Sequence, residues 1–268
     1  MYTRIQSKLS IIFYSFGQKH NYICYTLRKA AAKIAQYYTK KRKHCLKTGK
    51  KLNAKDAENM KVIDLTHTIT EKMPVFPGTE QPQLITVNNY DENGFRETLL
   101  KITTHTGTHI DPPAHIYNGK ATLDGLPPEQ FIGKALVIDC RSIKPGGHEQ
   151  QGVGISLQHI TAYGTKAKAA DFLLFNLGWD KYWGTETYLG QYPCLNDEAI
   201  NFILEGNYKG IGFDVMGIDP IDDENLTLHK KLFKNKQIVN IENLKNLDLC
   251  GSDLFWFSCF PLKIANSD

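Results

Sequence analysis

The sequence predicts an α/β fold that is built on a mixed β-sheet or open barrel with flanking helices. Short apolar runs rich in β-branched and aromatic residues, typical of buried strands, recur along residues 62–268. Segments with helix-capping residues lie between these runs, so strands and helices are interleaved and strands are the more numerous. The apolar fraction of 41% and the charged fraction of 22% are typical of a soluble globular protein.

The first predicted elements form a strand, a loop and a hairpin. Residues 62–65 predict a short strand, and the prolines and glycine of residues 66–82 predict a loop. Residues 84–87 and 97–104 are predicted strands. Between them, residues 91–94 predict a turn, and the Asn93–Gly94 pair favours a hairpin.

The remaining elements follow from caps and apolar runs. Residues 126–131 predict a single helical turn with proline near its start. Ser156 and Asn196 are suitable N-caps for helices over residues 156–163 and 196–205, and Gly206 is a suitable stop. One further helix is predicted over residues 224–234. Buried strands are predicted over residues 135–139, 172–175, 210–213, 237–241 and 254–260.

Residues 1–55 differ in composition from the rest of the chain. Residues 1–60 contain 14 Lys or Arg and two acids, whereas the remainder contains 18 Lys or Arg and 26 acids. We predict a basic extension over residues 1–55 that is separate from the core, and one hydrolase domain over residues 56–268. An acid-poor, basic leader is also typical of organelle transit peptides, and that alternative stays open.

Composition excludes several classes of partner. The acidic body argues against nucleic acid as the main partner, and no apolar run is long enough to span a bilayer. The six cysteines are widely spaced and contain no C-x-x-C pair, which favours a reducing compartment over a disulfide framework. A cytoplasmic enzyme without membrane contact is therefore expected.

Residues 105–115, which read His-Thr-Gly-Thr-His-Ile-Asp-Pro-Pro-Ala-His, contain the strongest chemical signal. His105, His109 and Asp111 offer imidazole nitrogens and a carboxylate, a set that suits zinc and, less well, manganese or iron. His115 lies just beyond them and is well placed as a general acid or base. The pattern therefore predicts a catalytic metal site.

The local sequence opposes a helix in this run. Gly107 and the pair Pro112–Pro113 disfavour helical geometry, so an extended chain is expected. In a straight strand His105 and His109 would be about 13 Å apart at about 3.3 Å per residue, near the limit for sharing one ion. A bend between them is therefore predicted, and Gly107 permits it.

This run resembles the H-x-G-T-H-x-D-x-P-x-H signature of the metal-dependent cyclase family, which includes bacterial kynurenine formamidase and isatin hydrolase. The segments 75–78, 177–183, 212–214 and 242–247 also resemble family segments, in family order. The resemblance covers residues 62–268. It implies the swivelling β/β/α fold of the family and a homodimer.

The resemblance also implies a binuclear centre, with zinc as the expected metal, two ions per chain, and manganese as an alternative. By matching positions, His105, His109 and Asp111 hold one ion. Asp111, His229 and Glu242 hold the second, so that Asp111 bridges the two. His115 matches the proton donor and acceptor of the family.

The activity implied is that of an arylformamidase, which converts N-formylkynurenine to kynurenine and formate in tryptophan catabolism. A bound zinc lowers the pKa of its water to about 7, so hydroxide can attack the amide carbonyl while His115 transfers the proton. An isatin-hydrolase-like lactam hydrolase and a non-catalytic metal-binding scaffold are the alternatives.

Other residues admit two interpretations. Phe76 stands where kynurenine formamidases usually have a Trp, so it is either a substrate contact with an aromatic face or a buried loop anchor. Asp214 and Asp219 either orient ligand histidines or cap loops. The aromatic residues of the segment 179–183 favour a core cluster over a pocket lining.

Overall fold

The computed structural model describes residues 61–143 and 154–268. Residues Ile63–Asp268 form one compact unit. The predicted basic extension lies outside the described residues, so the proposed division at residue 55 stays a prediction.

A six-stranded mixed sheet forms the centre of this unit and confirms the predicted fold class. The six strands are β3 (His109–Asp111), β4 (Ile132–Asp139), β5 (Phe172–Asn176), β6 (Gly210–Phe213), β7 (Val239–Glu242) and β8 (Phe255–Ser258). The order across the sheet is β3-β7-β6-β5-β4-β8. Strands β4 to β7 are parallel to one another, and the edge strands β3 and β8 pair antiparallel with β7 and β4.

Short helices connect these strands. Within the described residues, the α-helices are α1 (Tyr90–Asn93), α2 (Leu157–Thr161), α3 (Thr165–Ala169), α4 (Asp197–Glu205) and α5 (Thr227–Phe233). The 3-10 turns are Pro113–His115, Pro128–Phe131, Asp180–Tyr182, Glu186–Leu189 and Leu247–Cys250. Ser156 and Asn196 cap α2 and α4 as predicted. Within the described ranges, no helix is both long and apolar enough to cross a membrane.

The predicted hairpin is present as a separate two-stranded sheet of β1 (Gln83–Asn88) and β2 (Glu97–Lys101). Its connection differs from the predicted turn, because the Asn89 side chain caps the short helix α1. Gly94 ends that helix with a φ of 74°. The returning strand ends at Lys101 rather than at residue 104.

The predicted strand over residues 62–65 is wrong. The Asp64 carboxylate accepts a hydrogen bond of 2.9 Å from the Thr66 backbone N–H, which bends the chain in the manner of an Asx turn. The next residue, Thr66, forms an isolated antiparallel bridge with Leu244. Leu65 is nevertheless buried, so the apolar residue indicated burial correctly but not the backbone conformation.

Two apolar clusters cover the two faces of the sheet. Alternate residues of β4 divide between them, with Leu136 and Ile138 in one cluster and Ala135 and Val137 in the other. Burial on both faces explains why these strands read as continuous apolar runs. Apolar residues therefore cover both faces of the sheet, and a functional site can form at the polar ends of its strands.

Candidate metal centre

The bend predicted at Gly107 is present. Gly107 has a φ of 70°, a conformation that favours glycine, and a Cβ at this position would lie 2.8 Å from Met73 Cε. Asn243 fixes the bend, since its Nδ2 donates to the Gly107 carbonyl at 3.0 Å and its own carbonyl accepts from Thr108 Oγ1 at 2.6 Å. The chain therefore turns between His105 and His109.

Strand pairing places two candidate ligands opposite each other. In the antiparallel pair β3–β7, His109 is the partner of Glu242 and Asp111 is the partner of Asn240. His109 Nε2 lies 3.1 Å from Asp111 Oδ1 and 3.6 Å from Glu242 Oε2. The register of this strand pair therefore fixes the position of Glu242 relative to His109, and the alternation along β3 places Asp111 on the same face as His109.

The first predicted ligand set converges on one carboxylate oxygen. His105 Nδ1 lies 2.7 Å from Asp111 Oδ1, the same oxygen that His109 Nε2 approaches. One ligand atom from each of these three residues lies within 4.8 Å of the others. The arrangement offers two nitrogens and one oxygen to a cation, a set that suits zinc.

The second predicted set uses the other oxygen of Asp111. His229, on α5, has Nε2 3.4 Å from Asp111 Oδ2 and 3.3 Å from Glu242 Oε1. Ligand atoms of these three residues also lie within 4.8 Å of one another. The fold thus brings together all five residues that were predicted as ligands, with Asp111 shared by both groups.

The electrostatics of this cluster favour a cation. Burial alone would raise the pKa of Asp111, but the charge of His109 and hydrogen bonds from the neighbouring histidines hold it well below its usual range. Burial lowers the pKa of His109, but Asp111 and Glu242 outweigh it and raise the pKa to about 9. The buried carboxylates therefore require nearby positive charge, which a divalent cation can supply in place of the imidazole protons.

An unsatisfied ring nitrogen supports the same conclusion. Within the described part of the chain, His109 Nε2, which faces Asp111, is buried and forms no hydrogen bond of normal geometry. Buried polar atoms are rarely left in this condition. This nitrogen, with His105 Nδ1 and Asp111, therefore fits a metal site in both donor chemistry and geometry.

The ring nitrogens of His109 and His229 that face away from Asp111 and Glu242 do have hydrogen-bond partners. His109 Nδ1 lies 2.8 Å from the Gly107 carbonyl, and His229 Nδ1 lies 2.5 Å from Asp219 Oδ2. The contact with His229 supports the interpretation that Asp219 orients a ligand histidine. Asp219 also accepts a hydrogen bond from the Leu228 backbone, which ties it to the start of α5.

Asp214 caps a loop and does not orient a ligand histidine. Its carboxylate accepts hydrogen bonds from the Leu177 and Trp179 backbone N–H groups at 2.9 and 2.8 Å, so it caps the loop after β5. Burial raises the pKa of Asp214 to about 7. Trp179 itself is only 3% exposed and belongs to the core, as the core-cluster interpretation expected.

His115 ends the 3-10 turn Pro113–His115 and lies beside the cluster. Its ring centroid is 3.8 Å from that of His105 and 5.5 Å from that of His229. Burial is the main cause that lowers the pKa of His115 to about 4; Asp111 opposes this effect, and the charges of His105 and His229 add to it. The imidazole is therefore neutral at neutral pH and able to accept a proton.

Phe76 lies in the loop before β1, where its carbonyl accepts a hydrogen bond from Thr79 N at 2.9 Å. The side chain is 44% exposed, so it is not the buried loop anchor that one interpretation expected. Its contact with a substrate stays a prediction.

Two residues that touch the cluster were not identified from the sequence. Asn240 Nδ2 donates to Asp111 Oδ2 at 3.0 Å and to Glu242 Oε1 at 2.6 Å. The alternation of Asn240 and Glu242 on one strand face was a usable signal. Asp268 groups with His105 and His115 as a third possible ligand set, and its sequence position gives no indication of this.

Known proteins resemble this chain in both sequence and fold. The sequence profile of the Cyclase family matches residues 63–220. A kynurenine formamidase of Salinibacter ruber is 26% identical over 214 residues, which cover 78% of this chain and 93% of the relative. A kynurenine formamidase of Bacillus mycoides is 29% identical over 215 residues, covering 77% and 92%. Isatin hydrolase A from Labrenzia aggregata superposes with a TM-score of 0.66 at 25% identity, covering 77% and 89%.

Proposed function

The chain belongs to the cyclase family, and from this premise we propose that it is a metal-dependent hydrolase of a small amide, with arylformamidase as its activity. The observation that carries this proposal is the convergence of His105, His109, Asp111, His229 and Glu242 beside the neutral imidazole of His115. The similarity to kynurenine formamidases over most of the chain supports N-formylkynurenine as the substrate.

The proposed centre holds two zinc ions per chain, with manganese as the alternative metal. His105, His109 and Asp111 would hold one ion, and Asp111, His229 and Glu242 the other. Bound zinc supplies a Lewis acid and lowers the pKa of water to about 7. Asn240 keeps the Asp111 and Glu242 carboxylates in place by donating to both, so the donor set is held rigidly.

His115 has the proton-transfer role in this proposal. Its neutral imidazole accepts the proton of the attacking water and then donates it to the leaving amine nitrogen. The C–N bond of the formamide breaks, and formate and the free aryl amine are released. The exposed ring of Phe76 offers a flat apolar face to the aryl group.

Hydrolysis of a lactam such as isatin is the second candidate. The structural likeness to isatin hydrolase A favours it. Attack on a lactam carbonyl requires the same metal site and the same proton transfer. The carboxylate and the amine remain in one ring-opened product. The two activities therefore differ in their substrate and not in the metal centre that they require.

A direct comparison of substrates tests the proposal. The purified full chain, loaded with zinc, is assayed on N-formylkynurenine and on isatin, with a chelated sample as control. We expect metal-dependent release of formate from N-formylkynurenine, with a higher kcat/KM than for isatin. Preference for isatin would replace the first candidate with the second. No turnover of either substrate, with the metal retained, would favour a metal-binding scaffold without catalysis.

We also propose a homodimer that forms through the β1–β2 hairpin. Ile85 pairs with Leu99 and Leu84 pairs with Leu100, so the two pairs lie on opposite faces of the hairpin. All four side chains are between 38% and 53% exposed. An isolated two-stranded sheet is marginally stable in water, and a second copy covering these apolar faces would stabilise it.

A cytoplasmic location is part of the same proposal. Cys140, Cys194 and Cys259 are free thiols. Free thiols are typical of a reducing compartment, which supports this location.

A further inference from the structure

The three histidines of the cluster share one arrangement. Each has one ring nitrogen turned toward Asp111 or Glu242 and the other turned outward. For His109 the outward nitrogen meets the Gly107 carbonyl, and for His229 it meets the Asp219 carboxylate. An outward hydrogen bond of this kind fixes the ring orientation and the tautomer of a metal-ligating histidine.

The outward nitrogen of His105 is Nε2, because Nδ1 faces Asp111 at 2.7 Å. This Nε2 is buried and has no hydrogen-bond partner of normal geometry within the described residues. One carboxylate lies within reach, since Asp268 Oδ2 is 3.5 Å from it. His105 therefore has a candidate outer partner in the position that Asp219 occupies for His229.

The local structure holds Asp268 at this place. Thr104 Oγ1 donates to Asp268 Oδ1 at 3.0 Å, which leaves Oδ2 turned toward His105. The preceding residue, Ser267, is only 6% exposed, and its carbonyl accepts a hydrogen bond from Leu123 N at 3.0 Å. The backbone on this side is thus anchored in the core, although the Asp268 side chain is 51% exposed.

We propose that Asp268 is a positioning residue for His105. Its carboxylate accepts the Nε2–H of His105 and thereby keeps Nδ1 unprotonated and directed at the metal position beside Asp111 and His109. The inference rests on the metal centre proposed above. It assigns to Asp268 a role in metal affinity and ligand geometry, and no direct contact with the substrate.

Metal binding tests this inference separately from turnover. The full chain and its Asp268→Ala and Asp268→Asn variants are titrated with Zn²⁺ against a chromophoric chelator, and their Co²⁺ absorption spectra are recorded. The matched control is Asp253→Ala, because Asp253 is an 87% exposed acid that pairs with Lys166. Circular dichroism of the metal-free proteins confirms that each variant is folded.

We expect Asp268→Ala to bind zinc about 10- to 100-fold more weakly, with the number of ions per chain unchanged at saturation and with an altered Co²⁺ spectrum. Asp268→Asn should fall between wild type and Asp268→Ala, because its Oδ1 accepts the same hydrogen bond without the charge. Asp253→Ala should match wild type in both measurements.

Two results would overturn the inference and leave the proposed function standing. Wild-type affinity and spectrum in Asp268→Ala would show that His105 is oriented without this carboxylate. Loss of one whole ion per chain would make Asp268 a ligand, with His105 and His115, and not a positioning residue. If wild type itself bound neither Zn²⁺ nor Co²⁺, the proposed function would fail and this inference with it.

Discussion

His109 on β3 lies directly opposite Glu242 on β7, and their Nε2 and Oε2 atoms are 3.6 Å apart. Strands β3 and β7 are neighbours at one edge of the six-stranded sheet. A slip of one residue in this pairing would turn the whole ligand face of β3 away from Glu242. The candidate centre is therefore built into the pairing register and does not depend on loop conformation alone.

Because His115 is proposed to transfer protons and not to bind metal, its replacement should lower turnover and leave metal binding unchanged. His115→Ala should lower kcat by a factor of about 10² to 10⁴, the usual contribution of a general acid–base residue. The metal content should stay at the wild-type level, because both of the predicted ligand sets exclude His115. Elemental analysis and steady-state kinetics on one preparation measure both quantities. Unchanged kcat would remove His115 from the mechanism.

Gly107→Ala should weaken both the fold and the metal site. A side chain at a φ of 70° is strained, and the new Cβ would meet Met73. We expect a loss of about 1 kcal/mol in the free energy of unfolding, measured by urea denaturation of the metal-free protein.

Gly94→Ala is the matched control for this change. Gly94 has a φ of 74°, but no atom lies within 4 Å of a Cβ placed there, and the residue is in the hairpin. It should lose similar stability and keep wild-type zinc affinity, whereas Gly107→Ala should bind zinc more weakly. Equal zinc affinity in both variants would contradict the proposed function of the bend.

Much of this arrangement could be predicted from local sequence. The bend at Gly107 and the caps Ser156 and Asn196 follow from backbone preferences that act over a few residues, and the structure contains all three. The positions of Asn240 and Asp268 depend instead on strand register and on tertiary packing of distant segments. The alternation of Asn240 and Glu242 along β7 indicates that they share a face, but no local pattern indicates the contact of Asn240 with Asp111 or the position of Asp268.

The error at residues 62–65 has a related cause. An apolar run indicates burial, and Leu65 is buried, but Val62 is 80% exposed. The competing hydrogen bond from Thr66 to the Asp64 side chain determines the backbone conformation there. The apolar residues of this segment therefore indicated burial only at Leu65 and did not indicate the hydrogen bonding.

Asp214 predicts a specific dependence of stability on pH. Its pKa is raised by burial to about 7, whereas a carboxyl of the unfolded chain titrates near about 3.9. Between these values the folded state binds a proton that the unfolded state does not, so stability falls as pH rises from about 4 to about 7 and then levels off.

Asp214→Asn removes this titration. The free energy of unfolding of wild type minus that of the variant should therefore decrease by about 3 kcal/mol from pH 5 to pH 8, measured by urea denaturation. Other titrating groups are common to both proteins and cancel in the difference. Parallel pH profiles for the two proteins would show that Asp214 stays ionised in the fold.

Substitutions in the β1–β2 hairpin should dissociate the proposed dimer. Replacing both Ile85 and Leu99 with Glu places two charges on one apolar face, and burial of unpaired charge is costly. We expect the variant to sediment as a monomer at concentrations where wild type is a dimer. Leu262→Glu, at a 70% exposed position outside the hairpin, is the control and should remain dimeric. A dimeric double variant would place the interface elsewhere.

One carboxylate, Asp111, joins the two proposed metal positions. Elemental analysis of zinc-loaded protein tests this role, with wild type compared with Asp111→Ala, His105→Ala and His229→Ala. We expect about two ions per chain in wild type, loss of one ion in each histidine variant, and loss of both in Asp111→Ala. Retention of two ions by Asp111→Ala, or retention of none by wild type, would contradict it.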